Sequence, residues 1–327
     1  MKKRILSGMR PTGRLHLGHL VGALNNWVKL QDSYQCFYMV ADWHALMSEY
    51  ESPRGMREWS YEMARDFIAA GIDPEKSVIF IQSQVPEHLE LAMVFSDITP
   101  LAWVERVPTY KEQLREVKGR DLTTYGFLGY PVLQAADIAL YKANAVPVGV
   151  DQIPHLELTR EIIRRFNSIY KKNIFPEPEA LLTKNSKLLG LDNRKMSKSY
   201  DNFIALSDTP ETIKKKVTSM ITDPKRIRLH DKGHPDICNV FSYFLTFTNA
   251  ELSANVKDWC QAAQRGCTEC KSNLAEALIE YLQPIRTRRD SLSDSDIGDI
   301  IRVGAKRAGL AAGETMDEVR QLICLAT

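Results

Sequence analysis

The sequence predicts an α/β fold, a parallel sheet flanked by helices, followed by a helical domain. Three observations predict it. Strand and helix signals alternate over residues 3–82, and such alternation forces parallel pairing through helical crossovers. Helix signals dominate from Thr209 onward. The length, 327 residues, suits about two domains.

The first strand signal, Ile5 and Leu6, runs into Ser7-Gly8, then into a loop holding Pro11 and Gly13. His16-Leu17-Gly18-His19 opens a helix. The first N–H groups of a helix lack internal partners and carry the positive end of its dipole, so this turn is a phosphate-site candidate. The glycine pattern is neither the Walker nor the dinucleotide one. On spacing alone, His16 and His19 fit an incidental surface or metal-binding pair about as well as a phosphate site.

Gln35–Ala41 is a mostly apolar run and a buried-strand candidate, with Asp42-Trp43-His44 at its carboxyl end. Ser52-Pro53 reads as the start of a helix that stops at Gly71, with Trp59, Met63, Phe67 and Ala70 as its core stripe. Ser77–Gln82 is a third strand. Ligands of such sheets sit beyond the carboxyl ends of the strands, where Ser7-Gly8, Asp42–His44 and Gln82–Gln84 fall. From Pro86 to Asn167 the signals are mainly helical, with a charged amphipathic stretch at Thr109–Gly119. Asp137 stands in an apolar helix among Ala135, Ala136, Ile138 and Leu140, a costly place for an unpartnered carboxylate. Val146–Val150 is a short strand ahead of Asp151-Gln152 and a helix through Arg165. Lys195-Met196-Ser197-Lys198-Ser199 lies in a polar loop that, by itself, reads as a solvated surface. Thr209-Pro210-Glu211 opens a helix, and further helical periodicity covers residues 239–290 and 313–325.

The composition is 44% hydrophobic and 26% charged, with net charge +2, ordinary for a globular chain and indecisive about a nucleic-acid partner. No apolar run approaches the roughly 20 residues that cross a bilayer, and the basic start Met1–Arg4 lacks a signal-peptide core. The expectation is a cytoplasmic protein without membrane contact. Four of the six cysteines, Cys238, Cys260, Cys267 and Cys270, have the spacing C-x21-C-x6-C-x2-C, which suits zinc, an iron–sulfur cluster or reduced thiols more than disulfides. Cys36 reads as a buried strand residue.

Read together, Pro11-Thr12-Gly13…His16-Leu17-Gly18-His19 and Lys195–Ser199 resemble the paired signatures of class I aminoacyl-tRNA synthetases. SGMRPTG, ADWHAL, ERVPTYKE, YPVLQAADI, VPVGVDQ with His155, ELTREI and MDEVR narrow the likeness to the tryptophanyl-tRNA synthetases. The resemblance implies a Rossmann-like catalytic domain over residues 1–206, with a helical insertion and dimer region at about 86–167. It implies a helical anticodon-binding domain over 207–327, whose last helix packs back on the catalytic domain. It implies ATP-dependent ligation of L-tryptophan to tRNA(Trp) through tryptophanyl-adenylate, with Mg²⁺ on the ATP, in a homodimer. Transfer goes to the terminal ribose 2′-hydroxyl.

By the same likeness His16, His19, Lys195 and Lys198 are catalytic. Arg10, Pro11, Thr12, Gly18, His19, Gly149, Val150, Asp151, Leu188 and Lys195, Met196, Ser197, Lys198 and Ser199 bind ATP. Asp137 accepts the indole N–H, and Tyr130, Gln152, His44, Gly8, Gln134 and Val146 line the tryptophan pocket. The chain departs from many relatives at Arg10, Gln134 and Val150. A subset of the family holds a [4Fe–4S] cluster on nearly this cysteine spacing, which favours the cluster, with zinc as runner-up. Lys214, Lys215, Lys216, Lys225, Arg226, Arg228, Arg286, Arg288 and Arg289 fit either a tRNA phosphate track or a solvated face. The competing readings are a tyrosine-specific synthetase and a non-catalytic, synthetase-like RNA-binding protein.

Overall fold

A computed structural model describes residues 2–108, 110, 111, 121–182 and 188–325, except the side chain of Ser199. In the stretch Thr109–Gly119, Tyr110 and Lys111 are helical, whereas Thr109 and residues 112–119 lie outside the described residues. Internal contacts divide the chain into two compact units. One comprises Met1–Thr12, Asn26–Lys184 and Leu292–Thr327; the other comprises Gly13–Asn25 and Asn185–Ser291.

The first unit is built on a parallel sheet of order β3-β2-β1-β4-β5. Its strands are β1 (Arg4–Met9), β2 (Gln35–Val40), β3 (Ser77–Ile81), β4 (Ala145–Val148) and β5 (Glu179–Leu182). β2 is buried from Cys36 on and β3 throughout, as expected of strands covered on both faces. β1 pairs with β2 from Arg4 opposite Gln35 to Met9 opposite Val40, and with β4 on its other side. The strand order therefore reverses between β1 and β4, the point where α/β sheets of this kind open a ligand crevice at their carboxyl ends. β4 stops at Val148, short of the expected Val150, because Gly149 opens a 3-10 turn closed by Gln152 N–H to its carbonyl at 3.0 Å.

The helical path after Gly13 runs through α1 (Leu17–His19), a π-helical turn at Leu20–Leu24 and α2 (Asn25–Leu30). Asp42 opens α3 (Asp42–Glu49) directly at the end of β2. The expected helix start at Ser52-Pro53 is corrected: α4 (Met56–Ala69) begins later. Gly55 takes φ 85° in a turn closed by Met56 N–H to the Pro53 carbonyl at 3.2 Å, and a left-handed residue cannot sit inside a right-handed helix. The stop at Gly71 holds. Ile72 N–H reaches the Phe67 carbonyl at 3.1 Å and Gly71 N–H the Ile68 carbonyl at 2.9 Å, a Schellman closure. The unit's other helices before residue 182 are α5 (Glu87–Ile98), α6 (Leu101–Glu105), α7 (Tyr125–Leu140) and α8 (Ile153–Ile169).

In the second unit, His16 and Ala205 form an antiparallel bridge, extended by Leu206 N–H to the Leu15 carbonyl at 3.0 Å. α9 (Pro210–Thr218) is capped by the Thr209 hydroxyl, which accepts Thr212 N–H at 3.2 Å as the sequence predicts. α10 (Asn239–Phe247), α11 (Ala250–Gln261) and α12 (Cys267–Asp290) complete the unit. α9 packs on α12, with Ile213, Val217, Leu274 and Leu278 buried.

The last helix, α13 (Asp294–Ile323), belongs to the first unit and starts well before the expected 313–325. Gly298, Gly304, Gly309 and Gly313 weaken its sequence signal. A Ser293–Asp296 capping box starts it, and buried Ile297, Ile301, Ala308, Ala312, Met316 and Val319 hold it. It packs against β3 so closely that a Cβ on Gly304 would overlap the Ile79 carbonyl oxygen. Arg320 grips Glu90 of α5 through two nitrogens at 2.8 and 2.6 Å. Among the described residues no helix is long and apolar enough to cross a membrane.

Gly304→Ala should therefore destabilise the chain by at least about 2 kcal/mol, against the roughly 1 kcal/mol gain that helix propensity alone would give. Urea unfolding reads the sign directly; a stabilised variant would show that α13 does not need its close approach to β3.

Candidate functional site

His16 is the extended N-cap of α1, with φ −135° and ψ 172°. Its carbonyl accepts His19 N–H at 2.8 Å and Leu20 N–H at 3.1 Å, and its own N–H donates to His19 Nδ1 at 3.2 Å. The two rings lie 3.8 Å apart between centroids, and His16 packs on Phe203 at 5.4 Å. Gly18 is required here, since a Cβ would press on the His16 ring and on Met196 Sδ at 3.0 and 3.2 Å. Burial first, then the Lys198 ammonium, holds His16 down at about 3. Burial, His16 and Lys198 together hold His19 well below the usual imidazole value. Both rings are therefore neutral near pH 7. With Nδ1 of His19 accepting, its proton sits on Nε2, free to donate. His16 Nδ1 is buried with no hydrogen-bond partner among the described residues.

Lys198 Nζ donates to the Gly13 carbonyl at 2.7 Å, so this unit brings one signature lysine to the histidine loop. The bland expectation of a merely solvated loop is corrected for Lys198, Ser197 and Met196, which are half-buried or buried; Lys195 is exposed. The loop is set by Asn202, which sequence reasoning missed. Its Oδ1 accepts Ser197 N–H at 2.8 Å, and its Nδ2 donates to the Lys195 carbonyl at 3.1 Å and to Asp192 at 2.7 Å. Leu188 is half-buried, just before the bridge of Leu189 with Lys195. Of the basic track, Lys214, Lys215, Lys225 and Arg228 are exposed. Lys216 is instead paired to buried Asp208 at 2.8 Å, and Arg286 folds back on the Ile279 carbonyl at 2.8 Å.

In the first unit, Asp137 is 2% exposed on α7, a helix apolar nearly all round its buried part, so its carboxylate cannot turn to water. Three donors meet it. His44 Nε2 lies 2.7 Å from Oδ2; His88 Nδ1 and Gln82 Nε2 lie 2.6 and 2.8 Å from Oδ1. Burial would push the carboxyl up, but the charges and hydrogen bonds of His44 and His88 outweigh it and hold it at about 2. Asp137 is thus an ionised acceptor. His44 stands at the start of α3 and Gln82 just beyond β3, both at carboxyl ends of strands. His88 was not among the expected residues. No local motif marks it; only the packing of α5 on α7 brings it to Asp137.

Tyr130 hydroxyl lies 3.3 Å from His155 Nε2, and burial, partly offset by Asp151, holds His155 down at about 4. Val146 is buried in β4, and Gln134 and Gln152 are half-buried. The missing side chain of Gly8 points at the neighbouring strand, where a Cβ would lie 2.8 Å from the Met39 carbonyl oxygen. Arg10 Nη1 approaches Ser48 at 3.5 Å, and the Thr12 N–H closes a turn on the Arg10 carbonyl at 2.8 Å after Pro11. Asp151 and Val150 are exposed at the end of β4, and a Cβ on Gly149 would press on Asp151 Oδ1 at 2.6 Å.

The four cysteines of the second unit line one cavity together with Arg226 and Trp259. Burial first, then Cys238, Cys260 and Cys267, pushes the Cys270 thiol up to about 12; burial also raises Cys238 and Cys260. Arg226 Nη2 donates to the carbonyls of Leu229 and Arg265 at 2.9 and 2.8 Å, and Nη1 lies 4.0 Å from Cys267 Sγ. A Cβ on Gly233 would overlap Cys260 Sγ. Among the described residues no three His, Cys, Asp or Glu groups stand ready as a single-ion site. Cys36 is buried in β2.

The family model described as tRNA synthetases class I (W and Y) matches residues 1–283. A tryptophan–tRNA ligase of Thermotoga maritima is 50% identical over 98% of this chain and 99% of its own. One of Aquifex aeolicus is 43% identical over 98% and 100%. The crystal structure of the Campylobacter jejuni tryptophanyl-tRNA synthetase, complexed with ADP and tryptophan, superposes with a TM-score of 0.90 at 34% identity, covering 98% of this chain and 100% of that one. With the strand-order reversal between β1 and β4, the neutral histidine pair and these likenesses, the chain belongs to the class I tRNA synthetases (W and Y), among the bacterial tryptophanyl-tRNA synthetases.

Proposed function

We propose that this chain ligates L-tryptophan to tRNA(Trp) through a tryptophanyl-adenylate. The carrying observation is Asp137, a buried and ionised acceptor beside the strand ends. The indole N–H is tryptophan's one polar side-chain group, and it only donates, so an acceptor-only carboxylate complements it. The family membership and the neighbour's bound tryptophan and ADP support the reading. Tyr130, His44, Gln134, Val146, Gln152 and Gly8 are assigned to the amino acid.

In the first step a tryptophan carboxylate oxygen attacks the α-phosphorus of Mg²⁺-bound ATP, and pyrophosphate leaves. In the second, the tRNA ribose 2′-hydroxyl attacks the acyl carbon, and AMP leaves. Such transfers need positioned charge more than covalent chemistry. His19 offers Nε2–H to a phosphate oxygen, and His16 has an unused ring nitrogen for the same task. Lys195 and Lys198 follow the charge that builds on pyrophosphate, which for Lys198 means leaving the Gly13 carbonyl. Backbone groups of Arg10–Thr12, Gly18, Gly149–Asp151, Leu188 and Met196–Ser199 are assigned to the nucleotide. Residues 1–206 are assigned to catalysis and 207–327 to the anticodon, in a homodimer.

The four thiols fit a [4Fe–4S] cluster. Crowded thiols whose proton affinity is raised, as burial does at Cys238, Cys260 and Cys270, become thiolates only when metal gathers them, and a cage around a cavity suits a multi-iron group better than one zinc ion, whose ligands all lie about 2.3 Å away. Bound there, the cluster would clamp the segment from Cys238 to Cys270, and the Arg226 guanidinium would offset its negative charge.

Amino-acid-dependent ATP–pyrophosphate exchange should require tryptophan; exchange with tyrosine alone would replace this reading by the tyrosine-specific one, and absence of exchange and charging by the non-catalytic one. Lys195→Ala should slow adenylate formation at least about a hundredfold while tryptophan Kd stays within about twofold, the pattern of a group acting in the transition state. Protein purified without oxygen should absorb near about 400 nm and carry about four irons per chain, and zinc without iron in that preparation refutes the cluster.

A further inference from the structure

We propose that His88 is a positioning residue for the tryptophan indole: by taking Oδ1 of Asp137 it leaves Oδ2 turned to the amino acid. The proposal rests on Asp137 being the indole acceptor. The carboxylate can only accept, so His88 Nδ1 donates to Oδ1 across 2.6 Å. Its other nitrogen pairs with the Tyr141 hydroxyl at 2.8 Å. The ring is therefore pinned at both ends. It is also held by its neighbours: Phe80 lies 5.9 Å away, Tyr141 5.4 Å, and Tyr141 is itself stacked on Phe37 at 4.5 Å.

The two sides of the carboxylate differ in access. The His88 side chain is 0% exposed, while that of His44, on Oδ2, is 12% exposed. A ligand donor arriving from solvent therefore meets Oδ2 and the His44 side. Gln82 Nε2 adds a second donor on the sealed side, 2.8 Å from Oδ1. Rotation of the carboxylate would break both sealed hydrogen bonds at once. Without His88, Oδ1 would keep only the Gln82 donor, and the carboxylate would be held less firmly in its direction. A core-filling role for His88 predicts something different: lower stability with no change in how the enzyme tells one ring from another.

The test is pyrophosphate exchange by the full-length enzyme with tryptophan and with β-(3-benzothienyl)alanine, in which sulfur replaces the N–H. The readout is the ratio of their kcat/KM values. Wild type should favour tryptophan strongly, because the acceptor goes unpaired with the analogue. In His88→Leu the ratio should fall at least about tenfold, mostly through KM for tryptophan, while KM for ATP stays within about twofold. His88→Asn keeps a donor near the Nδ1 position and should restore most of the ratio. His88→Gln places the same amide toward Tyr141 and should not, so this pair carries the test even where the leucine variant does not fold. Equal ratios in wild type, Asn and Gln variants, with tryptophan still favoured, overturn the role of His88 alone. No preference for tryptophan in the wild type overturns the Asp137 assignment, and this proposal with it.

Discussion

One buried charge organises the first unit. Removing a carboxylate from water costs several kcal/mol unless donors replace the water, and Asp137 obtains three from separate elements: His44 of α3, Gln82 beyond β3 and His88 of α5. Each element must be in register for the group to be tolerated. The carboxyl ends of β2 and β3, α5 and α7 are thereby fixed relative to one another by a group whose proposed second service is recognition. A residue that is expensive to bury serves specificity well, because any ligand that fails to donate leaves part of that expense unrecovered.

The second unit solves a different problem, holding two histidines neutral beside a lysine. Burial and the nearby ammonium act in the same direction on His16 and His19, so neither ring is a cation near neutral pH. Positive charge is reserved for the lysines, whose loop is anchored by Asn202 at the Ser197 N–H and the Lys195 carbonyl and by Lys198 at the Gly13 carbonyl. Anchoring the loop at its backbone leaves the ammonium groups able to change partners, as the proposed release of pyrophosphate requires.

How much of this was legible depended on range. β2 and β3 were readable because buried strands are continuous apolar runs, β1 through its apolar pair Ile5 and Leu6, and Asp137 because a charge inside such a run is conspicuous. Thr209 showed itself by cap chemistry. β5 escaped notice: it is short, and Glu179 and Leu182 at its ends are exposed. Gly55 misplaced the start of α4 because Ser52-Pro53 imitates a cap and the sign of a glycine φ is not written in its neighbours. The bonds of His88, of Gln82 (legible only as a residue beyond a strand end) and of Asn202 were invisible for a deeper reason. Their partners stand 49, 55 and 5 residues away, and for the first two only the winding of the sheet makes the meeting; Asn202 was hidden beside a motif that drew attention to its lysines. The cysteine spacing suggested that these four residues meet, and they line one cavity together.

The intimate seat of Gly304 on β3 bears on how the chain comes into being. β3 is an edge strand of the sheet, and the helix that lies against it starts only at Asp294 and is synthesised long after it. Until α13 arrives, the nascent sheet presents an apolar strand without its cover, the kind of edge that recruits foreign strands. All of residues 185–291 must be synthesised in the interval. Loss of α13 would therefore be felt at β3, far earlier in the chain.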